Sequence, residues 1–488
     1  MLNRLRFLWR YRQNRYTHAM AGVASRQKRG RSREELWAQY RLNMYRTVTH
    51  APETGAGWRV ELARAVSLAA CGEIEAARQA VAAFHRKPSR ARRKVALANA
   101  LAPFMPAEAL QLIEDQPGVP KPLHIALLLR NNQVEKARDL LDALPKDAAK
   151  AYPELHLLHT NAYSGTPAEQ LQRLNAYFTT HSVPPLRLLD PSRAPSPLNV
   201  ASIQPPPAQN GPQISILMTT FNTGPRAEAA IKSLLTQSHR ELELIIVDDA
   251  SNDDTPARLA ALAALDTRIR LIQLPNNVGT YAAKRIGLLL AQGEFVTCHD
   301  SDDWSHPEKL ARQLAPLLAD PSLICTLSNW VRIQDDGSFY ARPVYPLTRM
   351  NPSSLLFRRE PVLREAGAWD CVRTGADSEF LARLKLVFGT KAVKKVNQPL
   401  TLGSHRADSL MTAASTGYSE VGVSPQRLAY WEAWSQWHIQ TLAAGERPYI
   451  DADLLTVSNR PFAAPSSLQV DPADIAACKD MLALADND

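Results

Sequence analysis

Cysteine is scarce in this chain, and long apolar runs are missing from it. Cys71, Cys298, Cys325, Cys371 and Cys478 are odd in number, widely spaced and never paired as C-x-x-C. That argues against a disulfide framework and a thiolate zinc site, and favours a reducing cytoplasm. No apolar run approaches the ~20 residues that cross a bilayer, and the start lacks the apolar core and cleavage site of a secretory signal. The expectation is a soluble or peripheral protein. No nucleic-acid motif accompanies the basic residues, so nucleic acid is not an expected partner.

What is present sorts into regions. At 488 residues and 45% hydrophobic content, the chain is too long for one ordinary core. Its formal charge of +9 is concentrated at the start, where residues 1–35 hold ten Lys or Arg against Glu34 and Glu35. The stretch MLNRLRFLWRYRQNRY, written as a helix, would lie on an anionic membrane with Trp9 and Tyr11 at headgroup level and its arginines on phosphates. A solvated tail is the other reading of the same residues. This basic segment is taken as residues 1–54.

Residues 55–181 are rich in Ala, Leu, Glu and Arg at helical spacing. Related tetrads recur at Glu75–Arg78, Ala107–Leu110, Glu135–Arg138 and Ala168–Leu171. Their third residues, Ala77, Ala109, Ala137 and Gln170, stand 32, 28 and 33 positions apart. A period of that size predicts stacked helix pairs whose surface could bind a protein partner or an acceptor, a degenerate array similar to TPR repeats; a plain helical bundle is the alternative. Prolines from 182 to 212 predict an extended linker.

From residue 213 strands alternate with helices, the pattern of βαβ units around a parallel sheet. Strands are predicted at 214–219, 242–247, 270–274 and 294–298, and helices at 226–237, 256–265 and 280–291. In such sheets ligands gather beyond the carboxyl ends of the strands. Here those ends read Thr219-Thr220-Phe221-Asn222, Asp248-Asp249-Ala250-Ser251 and His299-Asp300-Ser301-Asp302-Asp303. Carboxylates crowded at two strand ends repel unless donors or a cation stand among them, and Mg²⁺ or Mn²⁺ with phosphate oxygens would relieve that conflict.

The segments ISILMTTFN, SLLTQSHRELELIIVDDASNDDT, NNVGTYAAKRIGLLLAQGEFVTCHDSDDW, SSLLFRREPVLREAGAWD, GADSEFLARL and LGSHRADSL resemble, in order, glycosyltransferase family 2 with its GT-A fold. The resemblance covers about residues 213–412. It implies an inverting transfer of a sugar from a nucleoside-diphosphate sugar, preferably UDP-linked, to a hydroxyl of a glycan, lipid-linked or protein acceptor in surface polysaccharide or glycoconjugate synthesis. Thr219 and Phe221 would then lie at the nucleobase, with Asp249 accepting a hydrogen bond from it. Lys284 and Arg285 would meet the diphosphate, Asp300 the ribose and Asp302 the metal; a one-residue shift would give Asp303 the role of Asp302. His405 would coordinate the metal, and Asp377 would be the base that deprotonates the acceptor.

The sequence departs from the family pattern in three places: Phe221 stands where Tyr is frequent, Ala376 where Glu is usual, and Gly403 where Arg is common. Asp377 has a second reading as a helix cap, and Trp330 and Trp369 could line the acceptor pocket or be core. Two rival functions share these residues. One is a sugar nucleotidyltransferase, although no Gly-rich phosphate loop adjoins the first strand; the other is a scaffold whose transferase domain is degenerate. Residues 413–488, with WEAWSQWHIQ, are expected to pack a helix on the catalytic domain and carry no chemistry.

Overall fold

The computed structural model describes residues 2–485 apart from 25–31, 53–54, 56, 88–89, 408, 410–416, 420–421 and 453–459. The boundary read between residues 412 and 413 lies outside the described residues, as do two positions of the LGSHRADSL segment.

The first 180 residues are helical. The basic start forms α1 (Leu2–Arg12) and α2 (Tyr16–Ala21), followed by α3 (Arg33–Arg41) and α4 (Tyr45–Thr49). Phe7 and Tyr16 are buried, whereas Leu5 and Trp9 stand exposed. Next come α5 (Trp58–Ala70), α6 (Ile74–Arg86), α7 (Ala91–Leu101), α8 (Pro106–Ile113), α9 (Lys121–Arg130), α10 (Val134–Asp142), α11 (Ala148–Ala151), α12 (Leu155–Tyr163) and α13 (Pro167–Thr180).

The recurring tetrads fall on the second helix of successive pairs: α5 packs on α6, α7 on α8, α9 on α10 and α12 on α13, while α8 also meets α6 and α9. Ala77, Ala109, Ala137 and Gln170 are all buried, because a small or slender side chain there lets neighbouring helices approach. The start of α13 shows the local rules at work. Thr166 and Glu169 form a reciprocal capping box and Pro167 occupies the first helical position, where a missing N–H costs nothing.

Residues 182–212, expected as an extended linker, form two short strands joined by turns and are held against the body of the protein. β1 (Leu186–Leu188) pairs antiparallel with β2 (Val200–Ser202). The Asn175 amide bonds both the N–H and the C=O of Leu186, and Val183, Leu186 and Val200 enter the core.

The sheet then begins with β3 (Ile214–Thr220), α14 (Pro225–Leu235), β4 (Leu242–Asp248), α15 (Thr255–Ala263), β5 (Ile269–Gln273), α16 (Thr280–Leu289) and β6 (Phe295–Asp300). It continues through β7 (Trp304–Ser305), α17 (Lys309–Ala319), β8 (Cys325–Ile333), β9 (Phe339–Tyr340), β10 (Arg349–Met350), β11 (Leu356–Arg358), α18 (Arg359–Glu365), α19 (Ala376–Val387) and β12 (Val393–Ser404). The order is β5-β4-β3-β6-β11-β8-β12-β7. β5, β4, β3 and β6 are mutually parallel, whereas β11 runs antiparallel to both β6 and β8. The wholly parallel sheet expected from the βαβ pattern is therefore a mixed one, with the GT-A architecture.

Alternate residues of β3 face opposite layers. Ile214, Ile216 and Met218 pack with α14 and α17, and Leu217 packs with α16 and with Ile245 and Val247 of β4. Beyond β12 the short pair β13 (Tyr418–Ser419) and β14 (Gly422–Val423) leads into α20 (Pro425–Ala443), and α21 (Pro472–Ala485) ends the described chain. α20 touches α2, α4 and α19, with Trp431 and Trp434 buried.

The helical region grips the sheet region at the β8–β9 hairpin and the chain after it. Asn161 exchanges two hydrogen bonds with the Phe339 backbone, and the Glu154 carboxylate accepts from the N–H groups of Leu347 and Thr348. Arg130 donates to Ala341 O at 2.7 Å and lies over the Tyr340 ring.

Candidate functional site

The carboxyl ends of β3, β4 and β6 lie side by side, with Thr219 opposite Asp300 and Thr220 opposite Asp248 in the ladders. Thr219 Oγ1 is 2.7 Å from Thr280 Oγ1, which ties β3 to the start of α16. Phe221, just past the strand, is 46% exposed.

Asp249 is buried and holds a loop. Its Oδ1 accepts from Val278 N at 2.7 Å and its Oδ2 from Gly279 N at 2.8 Å, and burial still pushes its carboxyl up to about 6. A carboxylate has about four lone-pair sites, so acceptor capacity remains beyond those two bonds. Gly279 has φ +80°, and a Cβ there would come within 3.0 Å of Arg373 Cα; only glycine fits the turn.

The two basic residues at 284 and 285 part company. Lys284 is buried with its Nζ 3.5 Å from Asp300 Oδ1. Burial pulls its pKa down, but Asp300 and Asp377 outweigh that, so the amine ends above its ordinary value and stays charged. The Arg285 guanidinium is spent elsewhere, donating to Trp369 O at 2.9 Å and Asp451 O at 2.6 Å. Adjacent helix positions face different neighbours: Arg285 braces the fold and only Lys284 joins the carboxylates.

Burial pushes the Asp300 carboxyl up, while Lys284 and the Ser353 hydroxyl at 2.6 Å hold it below its ordinary value. Asp302 receives Arg406 Nε at 3.0 Å, yet burial and the charge of Asp300 keep its pKa raised. Asp303 is buried deeper. Its Oδ1 accepts from Ser404 N at 2.9 Å while its Oδ2 is buried with no partner, and burial together with Asp302 and Asp300 lifts its pKa well above the ordinary value. Lys309 Nζ, also fully buried, has no hydrogen-bond partner either.

His405, directly after β12, is not gathered with the aspartates into one group. Its ring stacks on Tyr340 with centroids 3.6 Å apart and planes within 2°. Burial and the neighbouring Arg332 and Arg130 lower its pKa to about 4, so at neutral pH the imidazole is uncharged, the form that ligates metals. Gly403 has a steric reason. A Cβ would meet Trp330 Cε3 at 2.7 Å, so the indole occupies the space that a longer side chain would need.

Asp377 sits in the first turn of α19, half-buried, with its Oδ1 accepting from Ser378 N at 2.7 Å. The cap position belongs to Gly375, with φ +91°, and not to Asp377. The charge of Asp377 is felt at both Lys284 and Tyr281, which puts it on the same cleft as Asp300. Two residues on, Glu379 is wholly internal, bonded to Arg383 and to His438 Nε2 at 3.0 Å. Trp369 packs against Phe357 and Phe380 as core.

Sequence reasoning missed Arg406, Ser353, Lys309 and Arg427. Arg406 directly follows His405 and could have been found as the cation for Asp302. Ser353 opens a segment already quoted for its resemblance. Arg427 carried no signal because Thr374 is distant in the chain, and Lys309 carried none because nothing local shows that this helix-start lysine turns inward towards Asp300 and Asp303.

A divalent cation suits this chemistry through its carboxylates. Three aspartates lie within four residues, one carboxylate oxygen is buried without a partner, and oxygen donors match Mg²⁺ or Mn²⁺. Among the described residues no three His, Cys, Asp or Glu side chains gather into one metal-holding group. The remaining positions of a Mg²⁺ shell ordinarily fall to water and phosphate oxygens.

Residues 215–371 match the model of Glycosyl transferase family 2. The succinoglycan biosynthesis protein ExoO of Rhizobium meliloti is 30% identical over 166 residues, covering 32% of this chain and 47% of its own. The putative colanic acid biosynthesis glycosyl transferase WcaA of Escherichia coli is 34% identical over 164 residues, covering 33% of this chain and 58% of its own. The chain spans about half the length of the curated relatives it matches. A crystal structure of S. aureus TarS 1-349 in complex with UDP-GlcNAc aligns with a TM-score of 0.37 at 18% identity, over 55% of this chain and 71% of that one.

Proposed function

We propose that this chain, whose residues 215–371 form a glycosyl transferase family 2 domain, transfers a sugar from a nucleoside-diphosphate sugar to an acceptor hydroxyl with inversion. The observation that carries the reading is the meeting, at one end of the sheet, of Asp249, Asp300, Asp302 and Asp303 with the buried lysines Lys284 and Lys309 and with Asp377. Relatives named for succinoglycan and colanic acid biosynthesis support a surface polysaccharide or glycoconjugate as the product.

In this reading Phe221 stacks on the base, Thr219 and Asp249 border it, and Asp300 meets the ribose. Lys284 lies by the diphosphate and stabilises its charge. Asp302 and Asp303 would hold Mn²⁺ or Mg²⁺, which when bound supplies positive charge to the departing diphosphate; His405 could join them only by leaving its stack on Tyr340. Asp377 takes the acceptor proton as the hydroxyl attacks the anomeric carbon. Positioning supplies much of the rate, since little covalent chemistry falls to the protein.

A UDP-linked donor and a cytoplasmic site are part of the same proposal. So is docking of α1 on an anionic membrane: Leu5 and Trp9 project outward among Arg4, Arg6 and Arg12. Among the described residues no helix is long and apolar enough to cross a membrane.

Calorimetric titration of UDP, GDP and dTDP, with and without Mn²⁺, tests the donor site. One nucleotide should bind in a Mn²⁺-dependent manner, and Asp302→Asn should abolish that dependence. No binding of any nucleotide by folded protein would move the reading to a non-catalytic scaffold.

A further inference from the structure

We infer that Arg342 is the centre of an anion-binding subsite for the acceptor, built on the seam between the helical region and the sheet. This rests on the transferase reading above and deepens it, since it gives the acceptor a phosphoryl or carboxylate group. Arg342 lies just beyond β9. Its guanidinium carbon stands 4.7 Å from the centre of the Phe104 ring, contributed by the α7–α8 turn, and 3.9 Å from that of Tyr418. Its Nε and NH2 are buried and meet no hydrogen-bond acceptor, and no ion pair reaches it among the described residues.

The other deeply buried guanidiniums each make at least one hydrogen bond, although Nε of Arg285 and of Arg460 meets no partner; at Arg342 two of the three nitrogens are left so. Arg285 donates to two carbonyls, Arg383 to Glu379 and two carbonyls, Arg427 to Thr374 Oγ1, and Arg460 to Asp370. Guanidinium donors taken from water with nothing to bond are costly unless an anion completes them. Burial lowers the pKa of Arg342, Tyr418, Tyr45 and Tyr340 oppose that, and Arg427 adds repulsion. The side chain is held in an aromatic box with its fork vacant, a geometry suited to bidentate capture of phosphate or carboxylate.

Its place ties it to the acceptor. Arg427 lies 4.8 Å over the same Tyr418 ring and donates to Thr374 Oγ1 at 2.8 Å, three residues before Asp377. Arg427 also acts on Tyr281, whose hydroxyl is bonded to the Asp377 backbone. A row Arg342–Tyr418–Arg427 thus runs from the seam to the segment that bears the proposed base. The donor's diphosphate has Lys284, whereas Arg342 belongs to neither the base nor the ribose end. The helical array gains a role here, because Phe104 is one wall of the box.

The test is calorimetric titration of UDP-saturated protein with inorganic phosphate and, separately, with glucuronate, for wild type, Arg342→Met and Arg342→Lys. Phosphate or glucuronate should bind wild type and lose roughly ten- to hundredfold in Arg342→Met, the scale of hydrogen bonds to a charged group. Arg342→Lys, which keeps the charge without the fork, should fall between. Binding of phosphate alone assigns a phosphoryl-bearing acceptor, and of glucuronate alone a uronic-acid one. No binding of either anion to wild type, or binding undiminished in Arg342→Met, overturns the proposal. Unchanged UDP affinity in the variants shows that they fold. If UDP fails to bind even wild type, the donor reading fails separately, and the anion titrations without nucleotide still decide the role of Arg342.

Discussion

The helical half and the sheet half bury similar aliphatic side chains but treat charge differently. In the helical half, ion pairs such as Arg138–Glu135 and Lys136–Glu114 sit in solvent; Glu154, its one buried acid among the described residues, spends its carboxylate on the backbone of the other half. The sheet half takes Lys284, Arg285, Asp303, Lys309, Asp370, Glu379 and Arg383 inside. These divide again. Glu379 is fully matched by Arg383 and His438, whereas Asp303 and Lys309 keep buried polar atoms without partners. Matched buried charge acts as architecture, and unmatched buried charge marks where a ligand is expected.

The largest effect expected from that division is at Asp377. Asp377→Asn should lower the rate of sugar transfer by about 10²–10⁴-fold, the usual contribution of a general base, and leave nucleotide affinity unchanged. Wild-type turnover by this variant would remove Asp377 from the chemistry and leave only its helix-start role.

Next comes the matched network. Glu379→Gln should destabilise the fold by about 3–5 kcal/mol, the scale for breaking a buried pair, read as the urea unfolding midpoint. The loss should depend on pH. Burial would raise the Glu379 carboxyl, but Arg383 and His438 hold it down at about 2, against an ordinary 4.5. With its folded pKa depressed, its stabilisation is complete above pH 4.5 and fades as pH falls towards 2. The gap between wild type and variant should therefore narrow over that range. A gap independent of pH would assign the cost to packing.

The polar strand ends and the helical repeat were legible because each depends on residues close in sequence. The predicted βαβ strands and helices fall within a few residues of those observed, and the repeated Ala positions mark the buried contact of each helix pair. Contacts between distant segments were not legible. Arg285 reads like a partner of Lys284 until Trp369 O and Asp451 O, far along the chain, are seen to accept from it. The mixed half of the sheet escaped for the same reason, since β11 joins β6 from beyond α17 and β8 from beyond β9 and β10. The C-terminal extension was read as inert packing, yet it supplies His438 to Glu379 and Arg427 to Thr374.

Gly403→Ala tests the seam between the two halves of the site. The added methyl would lie 2.7 Å from Trp330 Cε3 and 3.1 Å from Cζ3, so the indole or β12 must shift. Overpacking of this kind costs about 1–3 kcal/mol. The change should appear as a lower thermal midpoint together with weaker Mn²⁺-dependent nucleotide binding, because Ser404 and His405 follow directly. A stability loss with binding intact would show that β12 yields without disturbing Asp303.

The smallest effect belongs to the helical surface. Lys136 and Glu114 are 3.6 Å apart with side chains 62% and 46% exposed. Two long side chains held together in water gain little Coulomb energy and lose rotamer freedom, so Lys136→Ala should change stability by less than about 0.5 kcal/mol. Thermal melts in low and in 1 M salt check this, since screening removes whatever attraction exists. A loss comparable to Glu379→Gln would break the contrast drawn above, because exposed charge in the helical half would then matter as much to the fold as the enclosed charge of the sheet half.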